Sequence, residues 1–145
     1  MLTLSIDGDT RVIAKLDAAI KAVGSPREAL EDSGKYIISE VDKQFSTSGS
    51  RLGTSWQALS QKTLIQKAQA GYGGKGILER TGKLKKGFTS DLETFKVTVS
   101  NPVTYFKYHQ LGTNKIPQRP MLVSSTNLKA GIVEIFNKFI KKAFA

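Results

Sequence analysis

The chain has 145 residues, a length that suits a single domain, residues 1–145, with one buried core. Hydrophobic residues make up 39% and charged residues 23%, values typical of a globular chain rather than a disordered one. There is no cysteine, which excludes disulfides, zinc–thiolate sites and cysteine nucleophiles. We expect no signal peptide, because the N-terminus lacks a basic start followed by a long apolar run. We expect no membrane span, because no apolar stretch approaches roughly 18 residues.

The formal charge of +10 is concentrated in the second half of the chain. Residues 1–73 carry 9 Lys/Arg against 8 Asp/Glu, whereas residues 74–145 carry 13 against 4. A basic half predicts an acidic partner, either a nucleic acid or an acidic protein surface. The alternative is an incidental excess of lysine on a solvated face.

The first half of the sequence predicts one strand followed by helices. Apolar and polar residues alternate over residues 2–6, which indicates a short strand. Helical spacing of apolar residues follows from Thr10. A capping box formed by Ser25 and Glu28 then predicts a long helix over about 26–45.

Two segments rich in small residues, about 46–56 and 71–76, are predicted to be flexible loops. Trp56, at the end of the first loop, is expected to anchor an edge of the core. Between the loops, Ser60 is a good cap for a short helix. The residues of this helix predicted to face inward are Leu64, Ile65 and Ala68.

The second half predicts a strand, a short helix and a C-terminal helix. Phe95, Val97 and Val99 alternate with polar residues, as in a half-buried strand. Residues 103–112 suggest a helical turn closed by Gly112, and residues 128–144 suggest a helix. The sequence therefore predicts an α+β fold in which long N-terminal helices pack on a small, mainly antiparallel sheet, with a C-terminal helix.

The residues offer little support for catalysis. His109 is the only histidine, and no carboxylate stands at a recognisable catalytic spacing from it, so a structural role is favoured. The glycine-rich segment 71–76 lacks the Gly-Lys-Ser/Thr ending of a phosphate-binding loop. We expect no catalytic residue, no metal site and no cofactor.

Two basic features are the stronger candidates for an interface. The first is a cluster of cations that suits phosphates or an acidic protein: Arg80, Lys83, Lys85 and Lys86. The second is Arg119, which lies between Pro117 and Pro120 in a stiff, extended elbow. We expect Arg119 to pair with a carboxylate of the same subunit or of a neighbour.

Three segments, in the same order, resemble the phage virion morphogenesis proteins, the Mu-like tail completion family. "WQALSQKTLIQKA" resembles the family pattern WxpLsxxTlxxK, and "ILERTGKLKKGF" resembles iLxrTGxLrxS. "YFKYHQLGTNKIPQRPML" resembles YaxiHqxGxxxIPaRPfLG, although Met121 and Val123 depart from its Phe-Leu-Gly ending. Beside the two arginines, the motif residues are Thr81, Gly82, His109, Gln110, Gly112, Pro117 and Pro120.

The resemblance implies a non-enzymatic structural protein of a tailed phage or prophage. Such proteins act in the virion, at the head-proximal end of the tail or in the neck, and help to join tail to head after assembly in the host cytoplasm. The implied partners are other copies of the chain in a ring and neighbouring tail and head–tail connector proteins, with no membrane. A small basic DNA-binding protein is the alternative, and non-specific contact with passing DNA stays open.

Overall fold

The computed structural model describes residues 3–5, 10–23 and 25–143. Its helices are α1 (Thr10–Val23), α2 (Arg27–Ser46), α3 (Gln61–Gln69), α4 (Lys83–Lys86), α5 (Phe106–Leu111) and α6 (Thr126–Ala143). Its strands are β1 (Thr3–Ser5), β2 (Thr89–Leu92) and β3 (Val97–Ser100), and a single 3-10 turn spans Ser50–Leu52. The α+β class is confirmed. No helix in this part of the chain is long and apolar enough to cross a membrane.

The sheet has three strands in the order β1-β3-β2, and both neighbours of β3 are antiparallel to it. Val97 and Val99 of β3 are buried, as their alternation predicts. The prediction for Phe95 was wrong, because its side chain is 65% exposed. Phe95 lies in the reversal between β2 and β3, where the Glu93 N–H donates to the Lys96 carbonyl, so the apolar alternation begins before the strand does.

Helix α2 lies at the centre of the fold and contacts both the sheet and α6. Its buried face includes Ile37, Val41 and Phe45, spaced four residues apart as an apolar helical stripe requires. Gly34 faces the sheet, and a Cβ there would lie 3.0 Å from the Val97 Cγ2 atom and the Ser90 Cβ atom. A small residue at this point therefore allows the helix to approach β2 and β3 closely.

The two predicted helix caps had different outcomes. Ser60 accepts a hydrogen bond from the Thr63 N–H at 3.2 Å, as predicted for α3. The capping box of α2 does not form: Pro26 takes the N-cap position, and Ser25 accepts only from the Arg27 N–H. The Glu28 carboxylate instead accepts from Lys142 of α6 at 3.0 Å. Glu28 thus joins two helices rather than capping one.

Four aromatic rings connect α2, the end of the first loop, the residue before β2 and α5 through edge contacts. Phe45 packs edge-to-face on Trp56, with ring centres 5.4 Å apart, and at 6.2 Å on Phe88. Phe88 in turn meets Phe106 of α5 at 5.6 Å. Such perpendicular pairs add to the stabilisation that burial alone provides. The prediction that Trp56 anchors the core edge is confirmed, since it is 6% exposed.

Helix α3 differs from α2 and α6 because none of its residues is buried. The prediction that Leu64, Ile65 and Ala68 face inward was wrong: all three are exposed. The helix is attached instead by the Lys67 ammonium group, which donates to the carbonyls of Lys75 and Gly76. The amphipathic pattern is present in the sequence, but no part of the described chain covers its apolar side.

Candidate functional site

The elbow, residues 116–122, follows helix α5 and begins with a sharp change of direction. Gly112 has a φ of 75°, and its N–H donates to the Tyr108 carbonyl at the end of α5. A Cβ at Gly112 would lie 3.0 Å from the backbone nitrogen of Gln118, so a side chain there would strain both φ and packing. The Thr113 N–H then donates to the Ile116 carbonyl at 2.8 Å, which closes the turn into the elbow.

The Pro120 carbonyl is the point at which three distant segments meet. It accepts from the indole N–H of Trp56 at 2.9 Å and from the Gln44 side-chain amide at 3.1 Å. Two donors match the two lone pairs of a carbonyl oxygen. Gln44 is completely buried, and its Oε1 also accepts from the Leu52 N–H at 2.8 Å. The elbow is therefore fixed to α2 and to the first loop.

Gln110, on α5, holds the end of the elbow with three hydrogen bonds. Its Oε1 accepts from the N–H groups of Met121 and Leu122 at 2.8 and 3.1 Å. Its Nε2 donates to the Leu122 carbonyl at 2.6 Å. The side chain of Gln110 thus binds the backbone of Met121 and Leu122 as a neighbouring strand would. An amide suits this position because it both accepts and donates hydrogen bonds.

Arg119 is buried, with an exposed fraction of only 6%. Its Nε and one terminal nitrogen donate to the Gln57 carbonyl at 3.1 and 2.9 Å, and its backbone N–H donates to the His109 carbonyl at 2.7 Å. Among the described residues the guanidinium contacts a carbonyl and no carboxylate, and its pairing with a carboxylate of a neighbour stays a prediction. Burial lowers the pKa of Arg119 from its ordinary value. Its role within the subunit is to attach the elbow to the segment before α3.

Substitution Arg119→Lys is expected to lower the free energy of unfolding by about 1–3 kcal/mol, because an ammonium group cannot reproduce the two-pronged contact with Gln57. Urea denaturation at pH 7 measures the change. Arg80→Lys, at an exposed arginine, is the matched control and is expected to change stability by less than about 0.5 kcal/mol. Equal effects of the two substitutions would contradict a structural role for the buried guanidinium.

The structure brings His109 together with the arginine–threonine motif. His109, Arg80 and Thr81 line a cavity of about 250 Å³ whose other walls are Leu78, Leu84 and Tyr105. The Nδ1 atom of His109 is buried and has no hydrogen-bond partner among the described residues. Burial lowers the pKa of His109 from its ordinary value, and the Arg119 cation lowers it further, so the neutral imidazole is favoured at pH 7. None of the residues that line this cavity is a carboxylate.

The basic turn, residues 80–86, is built around Gly82, whose φ of 76° starts the one-turn helix α4. The Thr81 hydroxyl accepts from the Lys83 N–H at 3.3 Å. Lys85 forms its ion pairs within the subunit: its ammonium group lies 2.8 Å from the Glu79 carboxylate and 3.7 Å from that of Asp42. The hydrogen bond to Glu79 raises the pKa of Lys85.

The remaining cations of the basic turn are available to a partner. Lys83 and Lys86 are exposed, and neither forms an ion pair with any residue that the structure describes. The Arg80 guanidinium lies 5.2 Å from the centre of the Tyr72 ring, a cation–π contact that leaves its N–H groups accessible. Of the five cations predicted to form an interface, Lys85 and Arg119 make contacts inside the subunit. The other three, Arg80, Lys83 and Lys86, are exposed.

The first loop, 46–56, has an ionic attachment that sequence reasoning missed. The side chain of Glu40 on α2 is only 2% exposed and accepts from Arg51 at 2.6 and 3.1 Å and from Lys43 at 2.8 Å. Glu40 lies on the buried face of α2, one turn before Gln44. Because a buried acid requires a partner, this position in the sequence could have predicted an ion pair. The mobility predicted for this loop and for 71–76 stays a prediction.

Acidification is expected to weaken the fold through Glu40. The hydrogen bond from Arg51 lowers the pKa of Glu40 below its ordinary value of 4.5, so the ion pair stabilises the fold above about pH 4.5 and is lost as the pH falls through the lowered value. Urea midpoints at pH 7 and pH 3 should differ less in Glu40→Gln than in the wild type. Glu31→Gln, at an exposed pair with Lys35, should leave the difference nearly unchanged.

The model of the phage virion morphogenesis family matches residues 7–141, a range that contains both the basic turn and the elbow. Neither the search of curated proteins nor the search of solved structures found a match. Because the match covers nearly the whole chain, the chain belongs to the phage virion morphogenesis family.

Proposed function

We propose that the chain is a tail completion or neck protein, a non-enzymatic structural component at the head-proximal end of the tail that helps to join tail to head. The observation that carries this proposal is the family match over residues 7–141, which makes the chain a phage assembly protein. In the proposed role several copies form a ring that contacts tail proteins on one side and connector proteins on the other. The protein acts through contacts and not through a reaction.

The arrangement of the motif residues supports a scaffold. The elbow is held in shape by the side-chain hydrogen bonds of Gln110 and Arg119 and by the positive φ of Gly112. The basic turn depends in the same way on the positive φ of Gly82. Residues used in this way hold a surface in a fixed form. A rigid surface is what an assembly protein requires, because ordering a flexible one on binding costs affinity.

Lys83, Lys86 and Arg80 are the residues that we propose for contact with a neighbouring protein, with Lys85 and Arg119 supporting them from inside the subunit. Exposed lysines pair with carboxylates across an interface and direct encounter with an acidic surface. DNA binding is the competing use of the same cations. Affinity for DNA falls steeply with salt when several phosphates are contacted. Fluorescence anisotropy of DNA binding between about 50 and 200 mM salt therefore distinguishes a DNA-binding use of these cations from a protein-binding use.

The decisive experiment uses particles that lack the protein. Electron micrographs of such particles should show separate heads and tails, and addition of the purified protein should restore joined, infectious particles. The double variant Lys83→Glu/Lys86→Glu should fail to restore joining. Lys129→Glu, at an exposed lysine of α6, is the control and should restore it. Normally joined particles in the absence of the protein would overturn the proposal.

A further inference from the structure

Helix α3 carries an apolar surface that the subunit leaves uncovered. The exposed fractions of Leu64 and Ile65 are 43% and 56%, and at 100° per residue they share one side of the helix with Ala68. An amphipathic helix whose apolar side faces solvent indicates that another surface covers it in the working state. A nucleic acid is a poor occupant, because aliphatic side chains gain nothing from phosphates.

The charge around α3 restricts what that occupant can be. Residues 43–78 contain Lys43, Arg51, Lys62, Lys67 and Lys75 but no aspartate or glutamate. Lys62, one turn from Ile65, is exposed and forms no ion pair with the described residues. Two α3 helices packed against each other would bring Lys62 and Lys67 of both copies together, which disfavours a symmetric contact. The occupant must instead combine apolar side chains with a free carboxylate.

A groove between α2 and α6 of the same chain has that chemistry. It has a volume of about 160 Å³, and its apolar walls are Ala29, Ile135 and Phe139. A cavity of roughly 150 Å³ accommodates a group the size of benzene, so this space suits an aliphatic side chain. Asp32 stands at the rim, is exposed, and forms no ion pair with any residue in the described ranges. Lys138 and Lys142 also line the groove, but they are already paired with Glu134 and Glu28, which leaves the Asp32 carboxylate free.

We infer that α3 of one copy docks in the α2–α6 groove of the next copy, with Leu64 and Ile65 against Ile135 and Phe139 and with Lys62 paired to Asp32. This inference rests on the proposed function in that it identifies the surface through which copies associate. The two surfaces are different, so the contact is head-to-tail, and a pair of copies still has one free α3 and one free groove. Repetition of such a contact forms a closed ring when the rotation between copies divides a full turn, and an open filament otherwise.

Cysteine cross-linking tests the geometry directly, because the natural chain has no cysteine. Lys62→Cys and Asp32→Cys are prepared separately, mixed and oxidised, and a disulfide-linked dimer is the expected product. Val133→Cys replaces Asp32→Cys in the control, because Val133 is exposed but lies about 160° away from Ile135 around α6. A Lys62→Cys product that forms equally well with Val133→Cys, or with itself, would overturn the inference.

Charge reversal tests the same contact without cross-links. Analytical ultracentrifugation of the wild type at increasing concentration should show self-association. Ile65→Glu, Lys62→Glu and Asp32→Lys should each raise the dissociation constant at least tenfold, and Lys62→Glu/Asp32→Lys together should recover most of the loss. Val133→Glu should have no effect. All these positions are exposed, so thermal melts should stay close to that of the wild type.

The outcomes separate this interface from the proposed function. Absence of self-association in the wild type, or undiminished association in Ile65→Glu and Lys62→Glu, would overturn the α3–groove contact and would leave head–tail joining intact as a role. Joined particles in the absence of the protein would overturn the role itself, whatever the ultracentrifuge shows.

Discussion

Substitution Gly49→Ala is expected to lower the free energy of unfolding by at least about 3 kcal/mol, through left-handed backbone strain together with overpacking. Gly49 has a φ of 91°, a conformation that residues with a Cβ adopt at a cost. A Cβ there would also overlap the Thr54 carbonyl oxygen and the ring of Trp56. The backbone oxygen cannot move independently, because the Thr54 N–H is bonded to the Gly49 carbonyl at 3.0 Å.

Gly53 provides a matched control four residues further on. Its φ of 82° is nearly the same, but a Cβ there would meet nothing within 4 Å. Gly53→Ala should therefore cost only the backbone strain, about 1–2 kcal/mol. Urea denaturation followed by circular dichroism measures both variants. Indistinguishable midpoints would show that crowding by Thr54 and Trp56 contributes nothing at position 49.

Substitution Gln110→Ala should lower the free energy of unfolding by about 2–4 kcal/mol. It removes the partners of two N–H groups, those of the buried Met121 and Leu122, and of the Leu122 carbonyl. Buried polar groups left without a partner each cost about 1–3 kcal/mol, less where water enters the vacated space. The same change should free the end of the elbow, Met121 and Leu122, from α5, which native-state hydrogen exchange at these two residues would detect.

Gln118→Ala is the control for Gln110→Ala within the same segment. Gln118 is exposed, and its side chain makes a single hydrogen bond of 3.2 Å to the Gln110 carbonyl. Its loss should change stability by less than about 0.5 kcal/mol and leave exchange at Met121 unaltered. An equally small effect of Gln110→Ala would contradict the role that the structure gives to the motif glutamine.

The fold was predictable where local chemistry decides the structure. The apolar stripe of α2, the Ser60 cap of α3 and the end of α5 at Gly112 are all properties of short stretches, and each was predicted. Strand β2 was not predicted, because Thr89–Leu92 carries no apolar alternation. Its strand conformation depends on antiparallel pairing with β3, which a local pattern does not contain.

The candidate site was predictable only in part for the same reason. Its motif residues, among them Gln110 and Gly112, could be identified from one stretch of sequence. The residues that the elbow contacts could not, because many of them lie far away in the sequence. Arg119 is 62 residues from Gln57, and Gln44 is 76 residues from Pro120. The exposed apolar side of α3 shows the complementary difficulty: helical spacing identifies an amphipathic helix but not which molecule covers it.

The contact between Trp56 and the Pro120 carbonyl gives the protein an intrinsic optical probe. Trp56 is the only tryptophan in the chain, and its indole N–H reaches a segment 64 residues away. Its fluorescence therefore reports a long-range event, the arrival of the elbow against the end of the first loop. Closure of so long a loop is slow compared with helix formation, so the emission change in a stopped-flow refolding experiment should follow the gain of helical circular dichroism. One native side chain thus records when the elbow reaches its final position.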